Sequence, residues 1–160
     1  MRIIRALAGS AAAITAVASV AMATAGPAAA ANVGGASWRA FGNTNPITST
    51  SLEDFWLCGP TKQIGLNVGA QLCEVIGDIP NSQGLQPEQG AVIVRNNKPV
   101  EYDSTASIQL TGPFTNFSAC GKSGVAPHTW SVCFSPSIHA DTSKGLFVNG
   151  TANGDVLVGP

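Results

Sequence analysis

Charged and titratable side chains are scarce in this chain. Of its 160 residues 11% are charged, there are two histidines, two methionines and one tyrosine, and the net charge at pH 7 is −1. So little charge, with no Gly-X-Y period, excludes coiled coils, collagen and highly charged disorder. Beyond residue 31 the cations are Arg39, Lys62, Arg95, Lys98, Lys122 and Lys144; six against nine carboxylates gives that part a net charge of −3. Apart from the Arg95/Lys98 pair they are scattered. They cannot assemble the basic stripe that phosphate neutralisation requires, so nucleic acid is not an expected partner. No Cys-x-x-Cys occurs, and His128 and His139 show neither zinc-finger spacing nor a metalloprotease helix motif, so neither a metal nor a cofactor is expected. Helical periodicity is also missing: after residue 31 every run long enough for a helix is cut by Gly or Pro.

Residues 1–31, MRIIRALAGSAAAITAVASVAMATAGPAAAA, differ sharply from the remainder. Arg2 and Arg5 form a basic start, an Ala/Val/Ile-rich stretch follows, and small residues close the segment after Gly26-Pro27. This is the layout of a secretory signal peptide cleaved after Ala30 or Ala31. Alanine gains little in lipid, which argues against a membrane anchor, and no basic amphipathic stretch suggests attachment to a membrane surface. The expectation is one secreted domain over residues 32–160, large enough to build a core of its own.

All four cysteines, Cys58, Cys73, Cys120 and Cys133, fall in that domain. An even count on an exported chain predicts two disulfides. Of the three pairings, Cys58 with Cys73 and Cys120 with Cys133 is favoured, because each pair is close in sequence and brackets a turn-rich segment, as in a bridged hairpin.

Period two is the dominant pattern. Along residues 104–111, Ala106, Ile108 and Leu110 alternate with Thr105, Ser107, Gln109 and Thr111, which predicts a strand with one buried and one hydroxyl-rich face. Ile64, Leu66 and Val68 share a face by the same rule, as do Trp130, Val132 and Phe134. The runs Phe55-Trp56-Leu57-Cys58, Ala91-Val92-Ile93-Val94 and Val156-Leu157-Val158 predict strands covered on both faces. Turn chemistry recurs about every ten residues: Asn96-Asn97 predicts a tight hairpin, residues 149–155 a longer hairpin loop, and residues 78–89, with Pro80, Gly84 and Pro87, an exposed loop. The fold class is therefore all-β, an antiparallel β-sandwich of seven to nine strands, with a barrel as second choice.

No catalytic constellation assembles. Gly121-Lys122-Ser123-Gly124 lacks the last glycine of a nucleophile elbow and reads as a flexible turn inside the second disulfide loop. His128 shares the parity of Trp130 and points to the apolar side. His139 and Asp141 are two apart, so on a strand they form a polar pair facing water while Ile138 and Ala140 take the core. Glu53/Asp54, Glu74 and Glu101/Asp103 offer carboxylates, but no spacing sets two of them across a sugar. Trp56 and Trp130 read as core with their indole N–H groups partnered at the edge. Trp38 and Tyr102 are the candidate contact aromatics, and Lys122 is carried on a loop tethered by Cys120 and Cys133.

In length, export, Gly/Ser/Thr/Ala-rich strands, acidity and two local disulfides, the chain resembles the small bacterial β-sandwich carriers such as the enediyne-binding apoproteins. The likeness is one of composition. With 14 and 12 residues between the paired cysteines, it transfers no binding position. The expected function is a secreted, non-catalytic domain that binds an extracellular protein, a glycan or a small apolar ligand through surface loops or a shallow cleft, with Trp38, Tyr102, Lys122, His139 and Asp141 as candidate contacts. The alternatives are an inhibitor that presents the loop of residues 120–133 or of residues 78–89 to an extracellular protease, and a small hydrolase centred on His139 and Asp141.

Overall fold

The central strand of the larger sheet holds the longest unbroken run of buried apolar residues. β5 (Gln86–Asn96) carries Ala91, Val92, Ile93 and Val94, all buried on both faces, as expected of a strand covered on each side. The computed structural model describes residues 32–49, 54–112, 115–141 and 146–160. Residues 1–31, read above as a signal peptide, Glu53 and Lys144 lie outside them.

β5 lies between β4 (Val68–Gly77) and β8 (Trp130–Phe134), with β1 (Ser37–Gly42) beyond β8 and β2 (Asp54–Cys58) beyond β4. β3 (Lys62–Gly65) continues the β2 edge along the other half of β4, and β9 (Ile138–Ala140) pairs with the first residues of β5. These seven strands form one sheet. The second sheet has four strands in the order β11 (Asp155–Leu157), β10 (Phe147–Ala152), β6 (Tyr102–Thr111), β7 (Thr115–Val125). Every pairing is antiparallel. One four-residue helical turn, α1 (Pro46–Ser49), follows β1.

The sheets pack face to face as a β-sandwich. Val68, Ala70, Leu72, Val92 and Val94 meet Ala106, Ile108, Leu110, Val148 and Leu157, so the alternation over residues 104–111 sets the inner face of β6. A second apolar cluster covers the outer face of the larger sheet: Cys73, Val75, Ala91, Ile93 and Val132, under Phe41, Ile47, Trp56, Trp130 and Phe134. Trp130, Val132 and Phe134 do share a face, and it is this outer one.

Both disulfides pair as expected, Cys58–Cys73 and Cys120–Cys133. The first joins directly opposed residues of β2 and β4. The second does not staple a hairpin: β7 and β8 belong to different sheets, so Cys120–Cys133 ties one sheet to the other. Residues 121–124 are correspondingly part of β7, beside a bulge opposite Ser104 and Ala106, and not a turn.

Several local expectations are corrected in the same way. Asn96-Asn97 makes no hairpin, because β5 and β6 lie in different sheets; the Asn96 amide is buried and fixes the crossing by donating to the carbonyls of Val100 (2.9 Å), Val125 (2.9 Å) and Ala126 (3.2 Å). Leu66 is not on a face with Ile64 and Val68. It sits with Asn67 in the two-residue turn between β3 and β4, and Asn67 has φ 57°. β2 is an edge strand with Phe55 and Leu57 exposed, and Val156 and Val158 flank buried Leu157 in alternation. In residues 149–155 only Asn153-Gly154 turns, both at positive φ, the backbone a tight hairpin requires. Gln86 to Gln89 are strand, leaving residues 78–85 as the loop. The eleven strands among the described residues exceed the runs legible in sequence, because β2 and β3 share an edge and β9 has three residues.

Candidate functional site

The outer face of the larger sheet changes character along its length. Where β4 and β5 carry Cys73, Val75, Ala91 and Ile93 it is apolar and covered. Further on, Gly69, Gln71 and Arg95 take the same side, next to Gln63 of β3, and the surface opens into a cleft of about 160 Å³. Thr61, Gln63, Gln71, Arg95 and Asn97 supply its polar lining; Ile93, Ala70 and the Trp130 ring supply the apolar part. Gly69 has no side chain to fill it, and a Cβ there would press on the Thr61 methyl.

Arg95 is the one charged residue in the lining. Cross-strand register sets it opposite Trp130, and its guanidinium lies 4.9 Å from that ring's centroid, a cation–π distance. Nε donates to Asn97 Oδ1 at 2.7 Å and Nη1 to the His128 carbonyl at 2.7 Å. The planar group is thus held by a ring, an amide and a carbonyl, and its remaining N–H groups have no hydrogen-bond partner among the described residues. No carboxylate pairs with it among the described residues. Gln71 is oriented by donating to the Gly59 carbonyl at 2.7 Å, and Gln63 donates to that of Gly65 at 2.5 Å. The cleft can bind polar groups; among the described residues its lining has no carboxylate, imidazole or thiol to move a proton.

A second cluster lies between the sheets, toward the opposite end of β5. Glu88 is 1% exposed and Glu74 8%. They are diagonal neighbours, because Glu88 faces Ile76 and Glu74 faces Gly90 across β4 and β5. Burial, with the Glu88 charge added, pushes Glu74 up to about 7. Burial also raises Glu88; the Glu74 carboxyl offsets part of this and the Asp141 charge adds to it. The two carboxyls approach each other without a well-formed hydrogen bond, and among the described residues neither Glu88 oxygen has a hydrogen-bond partner. Burial and the repulsion between neighbouring carboxylates favour the protonated forms over two charges. The outer face of the smaller sheet carries a shallower concavity of about 230 Å³ among Ser107, Gln109, Phe117, Asn149, Thr151 and Val156, with no charged group.

None of the residues expected to make contacts lines the Arg95 cleft. Trp38 is half-buried against the main core, its Nε1 donating to the Gly121 carbonyl at 2.7 Å. Tyr102 is likewise half-buried, donating to the Ile64 carbonyl at 3.3 Å and accepting from Asn153 Nδ2 at 2.8 Å. Lys122 is exposed and paired with Asp103 at 2.6 Å. Ile138 and Ala140 do take the core side and His139 is exposed. Asp141 lies just past the strand, half-buried, with its charge felt by Glu88.

His128 is not on the apolar side: it occupies an exposed turn with φ 56°, two residues before β8. Ser123 is paired with Ser104 in the other sheet. Trp56 Nε1, expected to find a partner, is buried without one among the described residues. Residues 120–133 offer only the short turn 126–129 as a loop.

Sequence reasoning missed Arg95, Gln63, Gln71 and Asn97 as a group, and took Trp130 for core alone. Their spacing carries no signal, since only the register of β3, β4, β5 and β8 brings them together. Glu88 was hidden inside a segment read as an exposed loop. No family model matches the chain, and no curated protein and no solved structure shows significant similarity to it.

Proposed function

We propose that this chain is a secreted, non-catalytic β-sandwich domain that binds a glycan in the cleft over β3, β4, β5 and β8. The observation that carries this reading is the lining itself: amide, hydroxyl and guanidinium groups around a small apolar floor. Sugar rings offer hydroxyls that both donate and accept, together with C–H faces, and oriented glutamine and asparagine amides answer both demands. The size supports the same choice. At about 160 Å³ the cleft is smaller than sites that enclose drug-sized apolar ligands, roughly 300–1,000 Å³, and it suits one or two sugar units lying along a surface. Export is supported by the layout of residues 1–31 and by the two disulfides. The inhibitor reading loses its main loop, because residues 120–125 and 130–133 are strand.

Titration of the purified protein with a panel of soluble oligosaccharides, followed by amide chemical shifts, tests this. Binding shifts Gln63, Gln71, Asn97 and the Trp130 indole, and Gln71→Ala weakens it by about five- to tenfold, the loss of one or two neutral hydrogen bonds. Lys122→Ala, outside the cleft, leaves it unchanged. Shifts confined to another face, or no binding across the panel, would sink the proposal.

A further inference from the structure

We infer that the cleft selects an acidic sugar, with Arg95 receiving the carboxylate of a uronate residue while the neighbouring amides take its hydroxyls. This rests on the glycan reading above and specifies the ligand class.

Charge is the starting point. The domain from residue 32 onward carries a net charge of −3, which disfavours anions overall, yet the one charged group lining the cleft is a cation. Lys62 and Lys122 are neutralised by Asp155 and Asp103 at 3.0 and 2.6 Å. Arg39, Lys98 and Arg95 have no such partner among the described residues, and of these three only Arg95, half-buried, lines the cleft.

Geometry sharpens the point. A guanidinium offers a planar fork that matches a carboxylate bidentately, which an ammonium does not. Here the guanidinium is fixed before any ligand arrives, by Trp130 beneath it and by the bonds that spend Nε–H on Asn97 and one Nη1–H on His128, leaving the remaining Nη donors for a carboxylate. Docking therefore costs little side-chain entropy. His128 takes φ 56° in the turn that presents its carbonyl, so backbone conformation also serves to hold Arg95. A free carboxylate or phosphate would satisfy the fork but leave Gln63, Gln71 and Thr61 unused. A uronate carries the acid and the hydroxyls on one ring.

The test compares galacturonate and glucuronate oligomers with neutral galactose and glucose oligomers of equal length, and with acetate alone, by calorimetry and by shifts of the cleft amides. The inference expects a uronate oligomer to bind at least about tenfold tighter than its neutral counterpart, the scale of a charge-assisted pair. It expects that margin to shrink as salt is raised. Arg95→Gln should abolish the margin, and Arg95→Lys should keep part of it by retaining charge without the fork.

Equal binding of neutral and acidic oligomers in the cleft would overturn the inference and leave the glycan reading standing. Acetate binding as tightly as the uronate would also overturn it, reducing Arg95 to a plain anion contact. Failure of every oligomer to shift the cleft would remove both readings. Should Arg95→Gln fold poorly, the acidic-to-neutral ratio of the unmodified protein and its salt dependence decide alone.

Discussion

Glu74 and Glu88 make the stability of this domain depend on pH in a direction opposite to the usual acid unfolding. Both carboxyls titrate above the ordinary value of 4.5 in the folded chain, Glu74 at about 7. The folded state therefore binds the proton more tightly than the unfolded state does. Its contribution is fully present below about 4.5 and is lost as pH rises to about 7. Urea unfolding should thus give a higher stability at pH 5 than at pH 7.5, by on the order of 2 kcal/mol. Glu88→Gln, which keeps the shape and supplies a permanent N–H donor, should flatten that slope. A stability that instead rises from pH 5 to 7.5, or an unchanged slope in Glu88→Gln, would contradict the account of two buried carboxyls that hold their protons.

The crossing from β5 to β6 shows how one side chain can direct a whole element. A hairpin at Asn96-Asn97 would have laid the next strand against β5. The Asn96 amide instead binds the carbonyls of Val100, Val125 and Ala126 while its own oxygen accepts from the Lys98 amide at 2.9 Å. The chain then enters the opposite sheet. Asn96→Ala should cost about 2–3 kcal/mol, since it removes the donor and strands buried carbonyls, measurable as a lower urea midpoint with unchanged slope. A loss under about 0.5 kcal/mol, ordinary for a surface site, would show that packing alone sets the crossing. Gly90 sets a similar limit within β5: a Cβ there would run into Ile108, with Leu110 and Val148 close by. The two sheets approach closely at that point.

Taken together, the two sheets are joined by the apolar layer between them, by the connecting segments and by Cys120–Cys133. The other disulfide, Cys58–Cys73, reinforces neighbours already paired within one sheet. Sequence separations of 13 and 15 imply similar chain-entropy contributions, about 3 kcal/mol each. Their structural reach should differ. Replacing Cys120 and Cys133 by alanine should speed amide exchange in both sheets, whereas replacing Cys58 and Cys73 should loosen chiefly β2 and its contact with β4. Exchange that changes only near β7 and β8 in the first variant would argue against an inter-sheet tie.

What the sequence determined by itself was local and periodic. Alternation at Ala106, Ile108 and Leu110 reflects a side-chain period of two, and the unbroken run Ala91 to Val94 reflects cover on both faces; both are properties of a few adjacent residues. The cysteine pairing and the core side of Ile138 and Ala140 were legible for the same reason. Whether a strand turns back within its sheet or crosses to the other was decided by tertiary contacts, such as the three carbonyls around Asn96, which lie up to 30 residues away. Exposure of Phe55 and Leu57 followed from β2 being an edge, a property of sheet order. The candidate site belongs to this second kind. Arg95 and Trp130 are brought together by cross-strand register and Gln63 and Gln71 by the β3–β4 hairpin, so the cleft exists only once the sheet has formed.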